Sequence, residues 1–252
     1  MREEAIILKS SDEIETLRKV NLIVAEVLQR LKESVRAGAT TMDLERICEE
    51  ELARRKARPA FKGYRDYPFC LCTSVNEEVV HGMPSKRILE EGDILSIDCG
   101  VYHDGFYGDA AVTMAIGEVS EEAERLMAVT EGALERGIDR ARVGGRLFDI
   151  SASIQSHAED EGFSVVTAFV GHGIGRELHE PPQVPNFGKA GRGVRLKEGM
   201  VLALEPMINA GTADIDILDD GWTAVTADGR LSAHFEHSVA ITGNGPYVLS
   251  RL

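Results

Sequence analysis

The 252-residue sequence has no excess of basic residues, no cysteine framework and no long apolar run. Lys and Arg number 28 against 42 Asp and Glu, a formal charge of −14. Nucleic-acid binding calls for a basic face, so no direct nucleic-acid site is expected. Cys48, Cys70, Cys72 and Cys99 show neither the paired spacing of a thiolate metal site nor a disulfide pattern. They read as reduced thiols of a cytoplasmic protein. No segment approaches the roughly 18 apolar residues of a spanning helix, so no membrane association is expected. The start, MREEAIILKSSDE, is acidic and reads as neither signal peptide nor anchor. Linkers and low-complexity stretches are also missing, which leaves residues 1–252 as one domain with a substantial core.

What the chain does have is an internal repeat. LEEGDILSID (89–98) and LKEGMVLALE (196–205) share Leu89/Leu196, Glu91/Glu198, Gly92/Gly199 and Leu95/Leu202, and end in Asp98 and Glu205. Upstream, Arg36, Gly38 and Asp43 have counterparts in Arg142, Gly144 and Asp149 at nearly the same offset. Two matches at one spacing argue for two homologous halves, about 1–116 and 117–252, within one compact domain. Each repeat ends an apolar run with an acid. A buried carboxylate costs several kcal/mol unless it is paired, hydrogen-bonded or bound to metal. Its recurrence at equivalent positions points to one site built from two halves; a plain structural duplication is the alternative.

Ser10 with Glu13 forms a capping-box pattern before a helix running to about Val35, with the apolar stripe Ile14, Leu17, Val20, Val24, Val27, Leu28 and Leu31. Further helices are predicted at about 41–56, 120–137 and 146–161, with Gly38 and Gly144 each ending one helical pattern. Strands are predicted at 69–75, 93–102, 106–116, 164–170, 200–209, 222–226 and 232–242. Asp104-Gly105 and Asp228-Gly229 mark hairpin turns. The order helix, helix, strands, repeated, reads as α+β, with two pairs of helices covering an antiparallel sheet.

Around Asp104-Gly105 a two-residue turn pairs Asp98 with Ala111 and sets Asp109 on the same face. Diagonal neighbours of this kind lie roughly 7–8 Å apart, close enough to grip one cation. Two solvated acids on a hairpin are the plainer reading. The second half adds Glu205 in LALEPM and Glu236 in AHFEHS, although alternation through 232–241 requires a bulge to aim Glu236. His172 in VGHGIG offers a nitrogen. Four carboxylates and one imidazole suit two hard or borderline divalent ions.

Together with SVNEEVVHGMP (74–84), DCGVYHDGFYGDAA (98–111), GHGIGRELHEPPQVPNFG (171–188), EPMI (205–208) and DGWTAVTADGRLSAHFEHS (220–238), this set closely resembles the methionine aminopeptidases across almost the whole chain. The interval from His172 to Glu205 lacks the long insertion of the type II enzymes, and the N-terminus lacks a zinc-finger extension, so the resemblance is to the short bacterial type I form. It implies the pseudo-twofold pita-bread fold and a metallo-aminopeptidase that removes the initiator methionine before a small second residue, through a hydroxide bridging two metals. It implies Asp98, Asp109, His172, Glu205 and Glu236 as ligands, with manganese, iron, cobalt and zinc all acceptable. Glu205 would also carry the proton. His179 would stabilise the tetrahedral intermediate, and His81 would contact the peptide beyond methionine and assist the leaving amine. His103 and His157 are read as structural, and His234 and His237 as supporting Glu236 at most. Phe61, Tyr64, Tyr67, Cys72, Leu178 and Trp222 are expected to line the methionine pocket, or else to be ordinary core. The implied partners are the N-termini of nascent polypeptides, with docking at the ribosome left open and a monomer as the default.

Three rivals remain at the level of sequence. Proline-directed peptidases of the same fold usually carry an extra N-terminal domain and Gly after the Glu-Pro pair, where this chain has Met207. A catalytically dead relative would lack ligands. A metallophosphoesterase would need more histidines and basic phosphate clamps.

Overall fold

A computed structural model describes residues 5–252. Among the described residues, four α-helices form where caps and apolar stripes coincide. Helix α1, Ser11–Lys32, starts from the Ser10/Glu13 box and buries the whole predicted stripe. Helix α2, Thr41–Arg54, starts from Thr40, whose backbone N–H donates to Asp43. Helix α3, Glu121–Arg140, is capped by Ser120. Helix α4, Leu147–Asp160, begins with the Arg146 N–H donating to Asp149, as Thr40 does to Asp43. Capping oxygens of this kind satisfy amide donors that the first helical turn leaves free.

The strands are antiparallel throughout. In the first half, Ile94–His103 pairs over its full length with Phe106–Ala115 and on its other side with Leu71–Val75. The hairpin turns through Asp104 (φ 48°) and Gly105 (φ 83°), both left-handed, as a tight two-residue turn requires. In the second half, Val201–Leu204 lies between Gly171–Gly173 and His237–Thr242, and the sheet ends with Glu180–Val184 and Gly245–Val248. Two smaller ribbons join Ser232–His234, Met207–Asn209 and Ser164–Val165, and Ile215–Ile217, Ala224–Thr226 and Glu78–Val80.

Equivalent backbone bonds recur in the two halves. The N–H groups of Gly38 and Leu89 bond Leu89 and Ala39 carbonyls, and those of Gly144 and Leu196 bond Leu196 and Gly145. Gly92 N–H reaches Ile116 O as Gly199 N–H reaches Ile241 O. One apolar cluster gathers α1, α2 and the first-half strands, a second gathers α3, α4 and the second-half strands, and Val112 packs against both. The halves meet where Ala111 and Glu236 exchange backbone bonds and the Thr113 hydroxyl bonds both N–H and C=O of His234. This is the α+β, pseudo-twofold pita-bread arrangement.

Several boundaries differ from the sequence reading. Helix α1 stops at Lys32 rather than near Val35, and Gly38 and Gly144 (φ 86° and 89°) lead into the second helix of each pair instead of ending the first. The predicted strand 200–209 breaks at Glu205-Pro206, because Pro206 has no N–H to continue the ladder. Strand 232–242 breaks at Phe235-Glu236, and 164–170 yields only Ser164–Val165 before Gly171–Gly173. Asp228-Gly229 is a turn but not a hairpin: the strands on either side join different ribbons. Both breaks beside acids place a carboxylate where the ladder stops.

Candidate active site

Asp98 and Asp109 lie on the paired strands of the first-half hairpin, with Asp98 opposite Ala111 and Asp109 opposite Gly100. The side-chain period of two therefore sends both carboxylates to one face. Glu205 and Glu236 project from the two ladder breaks of the second half. His172 sits on Gly171–Gly173 opposite Ala203. Its Nδ1 is 2.9 Å from Gly173 O, which leaves Nε2 facing Glu205 Oε1 at 3.5 Å. Ligand atoms of Asp109, His172 and Glu236 all lie within 4.8 Å of one another.

The electrostatics of this cluster are unfavourable as the side chains stand. Burial pushes the Asp98 carboxyl up to about 7. Burial, and then the charges of Glu236 and Asp98, raises Asp109 well above the carboxylate range. Glu205 and Glu236 are raised for the same reasons, burial first and neighbouring acids second. Asp98 Oδ1, Asp109 Oδ1 and Glu236 Oε1 are buried with no hydrogen-bond partner. Four crowded acids, three of them with orphaned oxygens, and an imidazole turned toward them, are what divalent cations would satisfy. The residues present fit such ions.

The sequence profile of metallopeptidase family M24 matches residues 15–243. A methionine aminopeptidase of Clostridium perfringens is 55% identical over 97% of this chain and 98% of its own. The chain belongs to metallopeptidase family M24. Membership makes it a metal-dependent hydrolase, and within M24 it groups with the bacterial methionine aminopeptidases. The crystal structure of methionine aminopeptidase from Thermotoga maritima superposes with a TM-score of 0.97 at 46% identity, covering 98% of this chain and 100% of that one. A prolidase from Pyrococcus horikoshii shares the fold alone, with a TM-score of 0.77 at 21% identity, and 63% of its chain is covered.

Beside the acids of this M24 chain lies a cavity of about 170 Å³. That is close to the ~150 Å³ that takes up one benzene. Its lining contains every residue expected from the sequence to bind metal, act in catalysis or hold methionine: the four acids, His172, His81, His179, Phe61, Tyr64, Tyr67, Cys72, Leu178 and Trp222. The aromatic wall is fixed internally. Tyr67 donates to Leu71 O (2.9 Å) and its ring meets Trp222 edge-on at 5.0 Å. Cys72 stands opposite Asp98, and burial pushes its thiol up, so it lines the cavity as a neutral group.

The His179 ring lies tilted against that of His172, centroids 4.3 Å apart, and its Nδ1 is 2.9 Å from the Tyr64 hydroxyl. Packing among protein atoms, then the Arg65 charge, lowers its pKa. His81 has φ 62°, a strained conformation for a non-glycine residue, and stands edge-on to Phe169 and Trp222. Burial, then His179, pushes its pKa down to about 4. Both histidines are therefore neutral near pH 7 and can each donate one hydrogen bond. The loop carrying Leu178 and His179 is pinned by a buried ion pair between Lys9 and Glu180, and Glu180 also accepts the Arg176 N–H at 2.8 Å.

Sequence reasoning missed Arg65, which lines the cavity from a left-handed turn (φ 48°) that no motif announces. It missed Asn21, which accepts the Asp109 N–H at 3.3 Å; its signal was an amide between Val20 and Val24 on an apolar helix face. Ser238 similarly donates to Asp109 O at 2.9 Å. His234, given at most a supporting role, is buried with its Nε2 unpartnered, 4.0 Å from Glu205.

Proposed function

We propose that this chain removes the N-terminal methionine from nascent polypeptides, preferring a small second residue. The observation that carries the reading is the convergence of four acids and His172 on one side of a small, aromatic-walled cavity. In this reading Asp98, Asp109, His172, Glu205 and Glu236 hold two divalent ions, with manganese, iron, cobalt and zinc compatible with the donor set. Such ions would supply Lewis acidity and lower the pKa of water at the site.

The chain's own groups do the rest. The cavity takes the methionine side chain against Tyr67, Cys72, Leu178 and Trp222, with Phe61 and Tyr64 on the same lining. The buried acids close its end, so a free amine fits there and a continuing chain does not. Glu205 accepts the proton from the attacking water and returns it to the leaving amine. His179 donates to the scissile carbonyl oxygen as negative charge develops, held in place by the Tyr64 hydroxyl. His81 donates to the peptide beyond the scissile bond. Crowding by His179 and His81 around that bond favours a small second residue.

We further read residues 1–252 as a single catalytic domain of two homologous halves, about 1–116 and 117–252, acting as a monomer in the cytoplasm. No helix of the described residues is long and apolar enough to cross a membrane. Nascent N-termini would be met at or after the ribosome. The test is discrimination: the metal-loaded protein should free methionine from Met-Ala-Ser and leave a Xaa-Pro peptide uncut. Faster cleavage before proline would move the reading to the proline-directed members of the fold.

A further inference from the structure

Beyond the enclosed cavity lies an open groove of about 800 Å³, walled by Phe169, Val170, Pro181, Pro182 and Gln183. The two share Arg65, His172 and His179, so a peptide whose first side chain fills the cavity leaves along this groove. Among the described residues, Arg65 is the only Lys or Arg lining either space. It is exposed and takes part in no ion pair among the described residues. Its backbone is nevertheless fixed. The loop closes on itself through Tyr64 N–H to Phe61 O (2.8 Å), Tyr67 N–H to Tyr64 O (2.9 Å) and Gly63 N–H to Tyr67 O (2.7 Å). The guanidinium lies 5.4 Å from the Tyr64 ring.

An unpaired cation at the mouth of an acidic site, in a chain of net charge −14, is out of keeping with its surroundings. That net charge would repel an acidic substrate side chain; Arg65 reverses the sign locally. Side chains of an extended peptide alternate in direction, so the first and third point the same way, roughly 6.6 Å apart. With the first side chain in the cavity that Arg65 rims, the third returns to the Arg65 side. We propose that Arg65 is a specificity-determining residue that favours substrates with a carboxylate on the third residue. This rests on the cavity being the methionine pocket.

The test uses amidated peptides Met-Ala-Xaa-Ala-Ala, with Xaa as Glu, Gln or Lys, and the metal-loaded protein. The wild type should show kcat/KM for Glu over Lys by about fivefold at low ionic strength, shrinking as salt is added. Arg65→Gln should bring the Glu/Lys ratio to one or below, and Arg65→Lys should keep part of it. Rates on the Gln peptide in the same preparations control for folding. Equal rates on Glu and Lys in the wild type, or a preference that survives Arg65→Gln or is indifferent to salt, would overturn the proposal. No methionine from any of the three peptides would overturn instead the methionine reading on which it rests.

Discussion

At the residue scale the site depends on acids that are costly without counter-charge. Asp109 is the most constrained: its carboxyl is crowded by Asp98 and Glu236, and its backbone is held by Asn21 and Ser238. Asp109→Ala should abolish both tight ion binding and methionine release, as measured by metal analysis after dialysis and by turnover. Retained activity would refute the ligand scheme. In the proposed reading His179 acts differently, since it contacts the substrate and does not hold ions. His179→Ala should lower kcat by about 10²–10³-fold, the usual loss of one donor to a developing oxyanion, while metal content stays at the wild-type level. A mutant that lost its ions would instead make His179 structural.

At the scale of elements, the ladder breaks and the pinned loop do the positioning. Lys9, just before α1, reaches Glu180 at the start of Glu180–Val184, and both are buried. Removing one partner leaves an uncompensated buried charge, a loss of roughly 3–5 kcal/mol. Lys9→Ala should therefore lower the thermal midpoint by many degrees and mobilise the Leu178–His179 loop, while Lys9→Met should cost less in ion-pair terms only if Glu180 is removed with it. A Lys9→Ala midpoint within one or two degrees of wild type would show that the pair is not structural. Elements also explain what could be read from sequence. Asp98 and Asp109 were legible because a two-residue turn fixes hairpin register, and with it the face of every side chain. Glu236 was legible as a candidate but not in its direction, because alternation marks an irregularity within 232–241 without placing it at Phe235-Glu236. His81 and His179 emerged only through motif resemblance, since nothing in local periodicity separates them from His103 or His157. Arg65 stayed hidden because its placement depends on a left-handed loop conformation.

At the scale of the whole molecule, two packed halves press ionisable groups into one seam, and this ties stability to pH and to bound ions. The four acids have folded pKa values above their unfolded ones because of burial, Asp98 reaching about 7. In the folded, ion-free chain these four groups therefore hold more protons than they do in the unfolded chain. Its stability falls as pH rises from about 4 toward 7 on account of these groups. His81 and His172, held by burial at about 4 and about 3, work in the opposite sense: stability is lost as pH falls below about 6.5. Bound divalent ions replace the carboxyl protons, so ion binding should strengthen with pH. The difference in thermal midpoint between ion-loaded and chelated protein should be larger at pH 7.5 than at pH 5.5. A difference that is constant or shrinks would mean that the acids are not where the ions bind.

The most direct measurement titrates ion-depleted protein with manganese while following methionine release from Met-Ala-Ser. Release should start at baseline, rise as ions bind and reach a plateau in the wild type, and stay at baseline throughout in Asp109→Ala. Full release from the ion-depleted protein, or an Asp109→Ala curve that overlays the wild type, would contradict the assignment of this seam as a metal-dependent aminopeptidase site.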